Sequence, residues 1–175
     1  MINSKRLVHC SIDLPKHDPQ SLNVILMSMF QLPRGVTGFG SRPTVDAEHF
    51  RGCLYDARHR CGYRVLADAN DSLIGTRSYT SFVIQQQGIA TLLLLNLHGP
   101  FVGFAAGQDQ QALIHNFIDC TDVADEFVSF RPLDSTVLNA SPSPNQLALL
   151  SASERKQVNY WKPERIGDIV FNWWD

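Results

Sequence analysis

Residues 78–106 constrain the fold of this 175-residue chain more than any other stretch. They contain three short apolar runs, which Gly88 and the Gly99-Pro100 pair separate. Glycine supplies the positive φ that a tight hairpin turn needs, and proline cannot donate a hydrogen bond inside a strand ladder. The four consecutive leucines at 92–95 would also suit a buried helix, but these breaks leave too little length for one. The sequence therefore predicts an antiparallel meander of three strands.

The same stretch sets the predicted fold class. A run that is apolar on both faces is typical of a central strand, because such a strand is covered on both sides. The chain is 44% hydrophobic and can therefore bury a core. We predict a single α+β domain over residues 1–175 with an antiparallel sheet of about four to six strands around the meander. N-terminal helices and a C-terminal aromatic helical unit at 147–175 are expected to pack on this sheet.

Helix caps, helical periodicity and strand alternation predict the other elements. In the first half of the chain these are an edge strand at 6–12, a helix that begins at Asp18-Pro19 and is ended by Leu32-Pro33, a helix from Thr44 to Arg60 stopped by Gly62, and a strand at 63–66. After the meander they are a helix at 109–117, a strand at 126–133, a linker at 134–146, a helix from a Ser151/Glu154 capping box to about Trp161, and a further helical stretch after Pro163.

Composition excludes several classes of function. The formal net charge is −2 with no one-sided basic segment, which argues against general nucleic-acid binding. No apolar run approaches the roughly 20 residues that span a bilayer, and no apolar region follows the basic residues near Met1 as in a signal peptide. The cysteines are scattered, which predicts reduced thiols in a cytoplasmic protein. They are Cys10, Cys53, Cys61 and Cys120.

The segment from Asp109 to Asp134 is acidic, with six acids against one base, Arg131. Such a patch can oppose a basic partner protein, since complementary charge speeds and orients association. An ordinary solvated surface is the alternative. The carboxylates predicted to bind a partner are Asp119, Asp122, Asp125 and Glu126.

All three tryptophans lie in the last fifteen residues, beside other aromatic side chains. Tryptophan is enriched at binding hot spots, so Trp173 and Trp174 are candidate partner-binding residues. The alternative is a helix that closes the core. Because neighbouring residues on one helix cannot both point inward, at least one of the two is expected to be partly exposed.

The glycine-rich stretch 34–43 offers a different site. Gly35 and Gly40 have the spacing of a phosphate-binding loop, but the lysine is absent and the loop does not lie between a strand and a helix. Arg34 and Arg42, together with His49, could still hold a small anion against the loop amides. A plain connector is the simpler interpretation.

One cluster has the residue types of a metal site: His49, Cys53, His59 and Cys61. Zinc sites bring ligand pairs at tight, repeated spacings, whereas these two cysteines fall on the apolar stripe of the predicted helix. We therefore expect packing here, and we predict no metal, no cofactor and no catalytic residues.

Three functional hypotheses remain, because no motif specifies one. The first is a non-enzymatic protein-binding domain of the kind found among bacterial immunity proteins and antitoxins, neutralising a basic toxin. The second is an enzyme acting on a small anionic ligand near the loop at 34–43. The third is a scaffold or oligomerisation subunit that uses the C-terminal aromatic side chains.

Overall fold

The computed structural model describes residues 30–68 and 77–174. This part of the chain forms a five-stranded sheet with helices around it, which confirms the α+β class. The strands are β1 (Arg64–Ala67), β2 (Tyr79–Gln86), β3 (Ile89–Asn96), β4 (Phe101–Ala106) and β5 (Arg131–Pro132). The helices are α1 (Ala47–Cys61), α2 (Thr121–Ala124), α3 (Ser135–Leu138), α4 (Ala152–Trp161) and α5 (Ile166–Val170). The predicted strand at 6–12 and most of the predicted helix from Asp18 lie outside the described residues, and residues 30–32, at the end of that helix, are not helical.

The sheet has the strand order β1-β2-β3-β4-β5, and its first four strands are antiparallel neighbours. The turn between β2 and β3 consists of Gln87 and Gly88, with φ of 51° and 84°. Two positive φ values in a two-residue loop match the right-handed twist of the strands that it joins. The predicted meander is confirmed, with its first turn at the predicted glycine.

The four leucines of β3 alternate between two apolar clusters, one on each face of the sheet. In the first cluster, Leu92 and Leu94 pack with Tyr79 and with the C-terminal helices. In the second cluster, on the other face, Leu93 and Leu95 pack with α1. All four are almost completely buried. Fully burying one leucine contributes about 1.5–3 kcal/mol, so β3 is the main apolar element of the fold.

Helix α1 covers the second cluster with Phe50, Leu54 and Ala57. Its end is as predicted, because Gly62 adopts a left-handed conformation with φ of 68°. Its predicted start at Thr44 is wrong. The Asp46 side chain accepts hydrogen bonds from the first-turn amides and caps the helix, while the Thr44 amide donates to the carbonyl of Leu97, just after β3.

The predicted helix at 109–117 is wrong, since this segment contains turns and an isolated bridge to β4. The Arg77 guanidinium binds the carbonyls of Gln110 and Gln111, which a helix would need for its own hydrogen bonds. An amphipathic helix here would turn Leu113 inward, but Leu113 and Ile114 are both exposed, and Phe117 is buried.

The predicted strand at 126–133 is also wrong beyond β5, which pairs with β4 in parallel over two residues. Successive turns bring the amides of Glu126, Phe127 and Phe130 onto carbonyls three residues earlier. These turns bury Phe127 and expose both Val128 and Ser129, so the in-and-out alternation of a strand is absent.

The C-terminal unit follows the predicted capping box, because Ser151 and Glu154 exchange side-chain and backbone hydrogen bonds at the start of α4. Helix α5 then places Ile166, Ile169 and Val170 in the first cluster. It ends before Trp173 and Trp174, and both indoles are half-buried. The linker at 134–146 contains the one-turn helix α3, whose Leu138 is buried.

Asn172 joins three distant parts of the chain. Its backbone exchanges hydrogen bonds of 2.9 Å with the Ser78 hydroxyl and amide. Its side-chain amide donates to the Thr37 carbonyl at 3.0 Å and to the Ile169 carbonyl at 2.8 Å. A buried polar group is stable only when it is hydrogen-bonded, so these contacts fix the C-terminal unit against the sheet and the glycine-rich loop.

Candidate functional site

The acidic segment folds around a surface cavity of about 320 Å³, which we call the acidic hollow. Asp119, Asp125 and Asp134 contribute its carboxylates. Most of its other lining is apolar and comes from Phe104, Phe127, Val128, Phe130, Pro132 and Leu133.

The acidic hollow exists because two separate segments share one edge of β4. The Ile118 amide donates to the Phe104 carbonyl, and the Leu133 amide donates to the Val102 carbonyl, both at 2.9 Å. The chain between these two contacts leaves the sheet edge, turns through α2 and returns. Its acidic side chains therefore stand around an apolar part of the sheet.

Two of the carboxylates predicted to bind a partner have partners within the fold. Glu126 forms an ion pair with Arg60 at 2.6 Å, and the hydrogen bond from this guanidinium lowers the pKa of the carboxyl. Asp119 accepts hydrogen bonds from the amide and hydroxyl of Ser135 at 2.7 and 2.8 Å. Both carboxylates therefore help to hold the segment in place.

The other acidic side chains are more available. Asp122, Asp125 and Asp134 are exposed, and no ion pair among the described residues includes any of them. Asp125 and Asp134 line the acidic hollow, whereas Asp122 lies on α2 outside its lining. Asp134 and Val128 are not among the site residues predicted from the sequence. Asp134 could have been included because it belongs to the acidic segment. Val128 lies in the predicted strand at 126–133, which gave no reason to expect its 90% exposure.

A second surface feature, the aromatic groove, has a volume of about 510 Å³ and contains all three tryptophans. The rings of Trp161 and Trp173 meet edge to face at 5.3 Å. Trp174 also lines the groove, so the two predicted partner-binding tryptophans do lie together. Leu113 and Ile114 complete its apolar wall.

A third cavity, of about 270 Å³, lies beside the glycine-rich loop, and we call it the loop cavity. The loop is fixed by the buried Glu154 carboxylate, which accepts hydrogen bonds from the Gly35 amide at 2.9 Å and the Thr37 hydroxyl at 3.1 Å. Burial alone would raise the pKa of Glu154, but hydrogen bonds from Ser151, Gly35 and Thr37 outweigh it and lower the pKa.

His98 attaches the other end of this loop to the sheet. Its Nδ1 lies 3.1 Å from the Ser41 hydroxyl and 3.2 Å from the Arg42 carbonyl. Burial lowers the pKa of His98, which favours the neutral imidazole at pH 7. A carbonyl can only accept, so its contact with Nδ1 favours the tautomer that carries the proton there.

The three residues predicted to hold an anion do not line the loop cavity. Arg34 and Arg42 are exposed on the loop, while His49 is in the first turn of α1 and stacks on Phe130 at 5.7 Å. The cation that does line the loop cavity is Arg77. Arg77 belongs to no sequence motif, so it is not among the predicted site residues.

The histidines and cysteines of α1 make separate contacts. His49 Nε2 lies 3.9 Å from Cys53 Sγ, His59 accepts from Arg58, and Cys61 donates to the Asp122 carbonyl. Within residues 30–68 and 77–174, no group of three His, Cys, Asp or Glu side chains is arranged to hold a metal ion.

Comparison with known proteins gives no relative: no family model, no curated protein and no solved structure matches this chain. None of the helices that the structure describes has the length and apolar character needed to cross a membrane.

Proposed function

We propose that this chain is a protein-binding domain that captures a basic partner in the acidic hollow. The observation that carries the proposal is the combination of exposed carboxylates at Asp125 and Asp134 with an apolar lining that includes the exposed Val128. A lysine or arginine side chain has an apolar stem and a cationic end, so it suits such a cavity.

The charges inside the fold support this choice of partner. Arg60 already compensates Glu126, while Asp122, Asp125 and Asp134 have no cationic partner among the described residues. Uncompensated carboxylates attract a basic surface over a distance of about a Debye length, roughly 8 Å at physiological salt. The partner class that fits best is a basic protein such as a nuclease toxin, which an immunity-type domain neutralises in the cytoplasm. The half-buried, unbridged thiols of Cys53, Cys61 and Cys120 are compatible with a reducing compartment.

The test is affinity capture from the native lysate, with the product of the neighbouring gene co-expressed, followed by measurement of the Kd of the purified pair. We expect Asp125→Asn and Asp134→Asn each to raise the Kd about tenfold, the loss expected for one charge-assisted contact. The effect should shrink at high salt. Asp56→Asn, on the exposed face of α1, is the matched control and should leave the Kd unchanged.

Melting temperatures of the three variants should agree, because the substituted carboxylates are exposed. Equal affinity of Asp125→Asn, Asp134→Asn and the parent protein for a stoichiometric partner would contradict binding in the acidic hollow.

A scaffold or oligomerisation role is the second candidate, and the aromatic groove favours it. Ile114 is 79% exposed beside the three tryptophans, and large exposed apolar side chains at a groove are typical of association sites. We expect Ile114→Lys to abolish any concentration-dependent increase in mass. A parent protein that stays monomeric at all concentrations in sedimentation would exclude self-association.

A further inference from the structure

We propose that the loop cavity binds a small organic anion that carries one aromatic ring, with the Arg77 guanidinium as its counter-ion. This site is separate from the acidic hollow, and the proposal does not depend on a protein partner.

Arg77 is a positioned cation that binds no carboxylate among the described residues. Its Nη1 donates to the Tyr79 hydroxyl at 3.0 Å and to the Gln110 carbonyl at 2.7 Å, and its Nη2 donates to the Gln111 carbonyl at 3.0 Å. All three acceptors are neutral, and no ion pair among the described residues includes Arg77. A half-buried charge is stabilised by an opposite charge. Guanidinium has five N–H groups, and those of Arg77 make three hydrogen bonds to described residues, so N–H groups remain for an anion.

The glycine-rich loop contributes backbone to the same cavity. Gly40 lines the cavity with φ of +72°, and its amide donates to no residue that the structure describes. A side-chain carbon placed at Gly40 would meet nothing within 4 Å, so there is open space beside this backbone. Glu154 already holds the loop at Gly35 and Thr37. Ligand binding would therefore not have to order this part of the loop, and avoiding that entropic cost raises the affinity.

The size and the remaining lining define the ligand class. Phe39 and Trp174 contribute rings and Pro43 contributes a further apolar surface. A volume of about 270 Å³ lies just below the range of roughly 300–1,000 Å³ for ligand pockets, so one ring with a single charged group fits, whereas a nucleotide does not. The neutral imidazole of His98 adds no charge, which leaves Arg77 as the cation that selects an anion.

The experiment is a titration of the isotope-labelled protein followed by NMR, observing the Gly40 amide and the Trp174 indole. The probes are benzoate and phenyl phosphate, with benzamide as the neutral ring and acetate as the anion without a ring. We expect saturable shifts at both positions with at least one of the two aromatic anions. Binding should be at least about tenfold weaker for benzamide and for acetate, because each lacks one of the two contacts.

Arg77→Gln should weaken binding at least about tenfold, while Arg64→Gln, which removes an exposed cation from β1, should leave it unchanged. Because Arg77 also holds the 110–111 carbonyls, Phe39→Ala provides a second test in an exposed side chain and should weaken binding about threefold. The proposal is overturned if neither aromatic anion gives a saturable shift, if benzamide binds as well as benzoate, or if Phe39→Ala and Arg64→Gln have the same effect.

Discussion

Replacing the buried Glu154 by glutamine tests whether one carboxylate holds the glycine-rich loop onto α4. Its side chain is 1% exposed and accepts hydrogen bonds from Ser151, Gly35 and Thr37. Glutamine has the same shape, but it has one acceptor oxygen and an NH₂ group that must face one of these donors. One buried N–H then lacks a partner, at about 1–3 kcal/mol, and the remaining bonds lose their charge assistance. We expect Glu154→Gln to lower the free energy of unfolding by about 2–4 kcal/mol at pH 7.

The same carboxylate gives a pH dependence with a defined sign. The folded state holds the pKa of Glu154 below its ordinary value of 4.5, so the unfolded chain binds a proton more readily. The stabilisation is therefore complete above pH 4.5 and is lost as the pH falls through the lower folded pKa. The difference between the parent protein and Glu154→Gln should shrink over that acid range.

Urea denaturation at pH 7 and at successively lower pH measures both effects, with Glu164→Gln as the exposed control. In a thermal melt at pH 7, the melting temperature should fall by roughly 4–16 °C for a chain of this size. Two results would refute the argument: stability of Glu154→Gln within about 0.5 kcal/mol of the control, or a difference that does not change in acid.

Two matched pairs test the packing and the helix start. Gly167→Ala should lower the free energy of unfolding by about 1–3 kcal/mol, because its new carbon would lie 2.2 Å from Cε2 of Phe117. Gly52→Ala, on the open face of α1, should raise that free energy by about 0.5–1 kcal/mol, and equal effects in urea denaturation would contradict the close approach. Asp46→Ala should cost about 1 kcal/mol as the loss of a helix cap. Thr44→Ala should be nearly neutral, and a larger loss at Thr44 than at Asp46 in thermal melts would restore the sequence-based start.

The sheet and the helix caps could be predicted from the sequence because local chemistry decides them. Gly88 and Gly62 take the left-handed conformations that their turns need, and the Ser151/Glu154 spacing is sufficient to specify the capping box. The run at 92–95 alternates between two covered faces, as an all-apolar strand must.

The two wrong elements failed because distant residues decide them. The helix at 109–117 competes with Arg77, which lies more than thirty residues earlier in the chain. The guanidinium of Arg77 donates hydrogen bonds to two carbonyls of this segment, those of Gln110 and Gln111. The strand at 126–133 has the correct alternation, but β4 has already paired with the segment around Ile118, so only β5 finds room on that edge.

The candidate sites show the same limit. The acidic charge of the segment could be predicted, but the division between carboxylates held inside the fold and those left exposed depends on Arg60 and Ser135. Neither partner is recognisable from spacing, since Arg60 is 66 residues from Glu126.

The contacts of Asn172 have a consequence for the order of events during synthesis. The hairpin of β2 and β3 is made of local contacts and can form as soon as it leaves the ribosome. The Thr37 carbonyl and the Ser78 hydroxyl, however, accept hydrogen bonds from Asn172, which lies 135 and 94 residues further along the chain. Until Asn172 has been synthesised, Leu92 and Leu94 of β3 are not packed against the C-terminal helices. Their apolar surface is then exposed to chaperones and to other nascent chains.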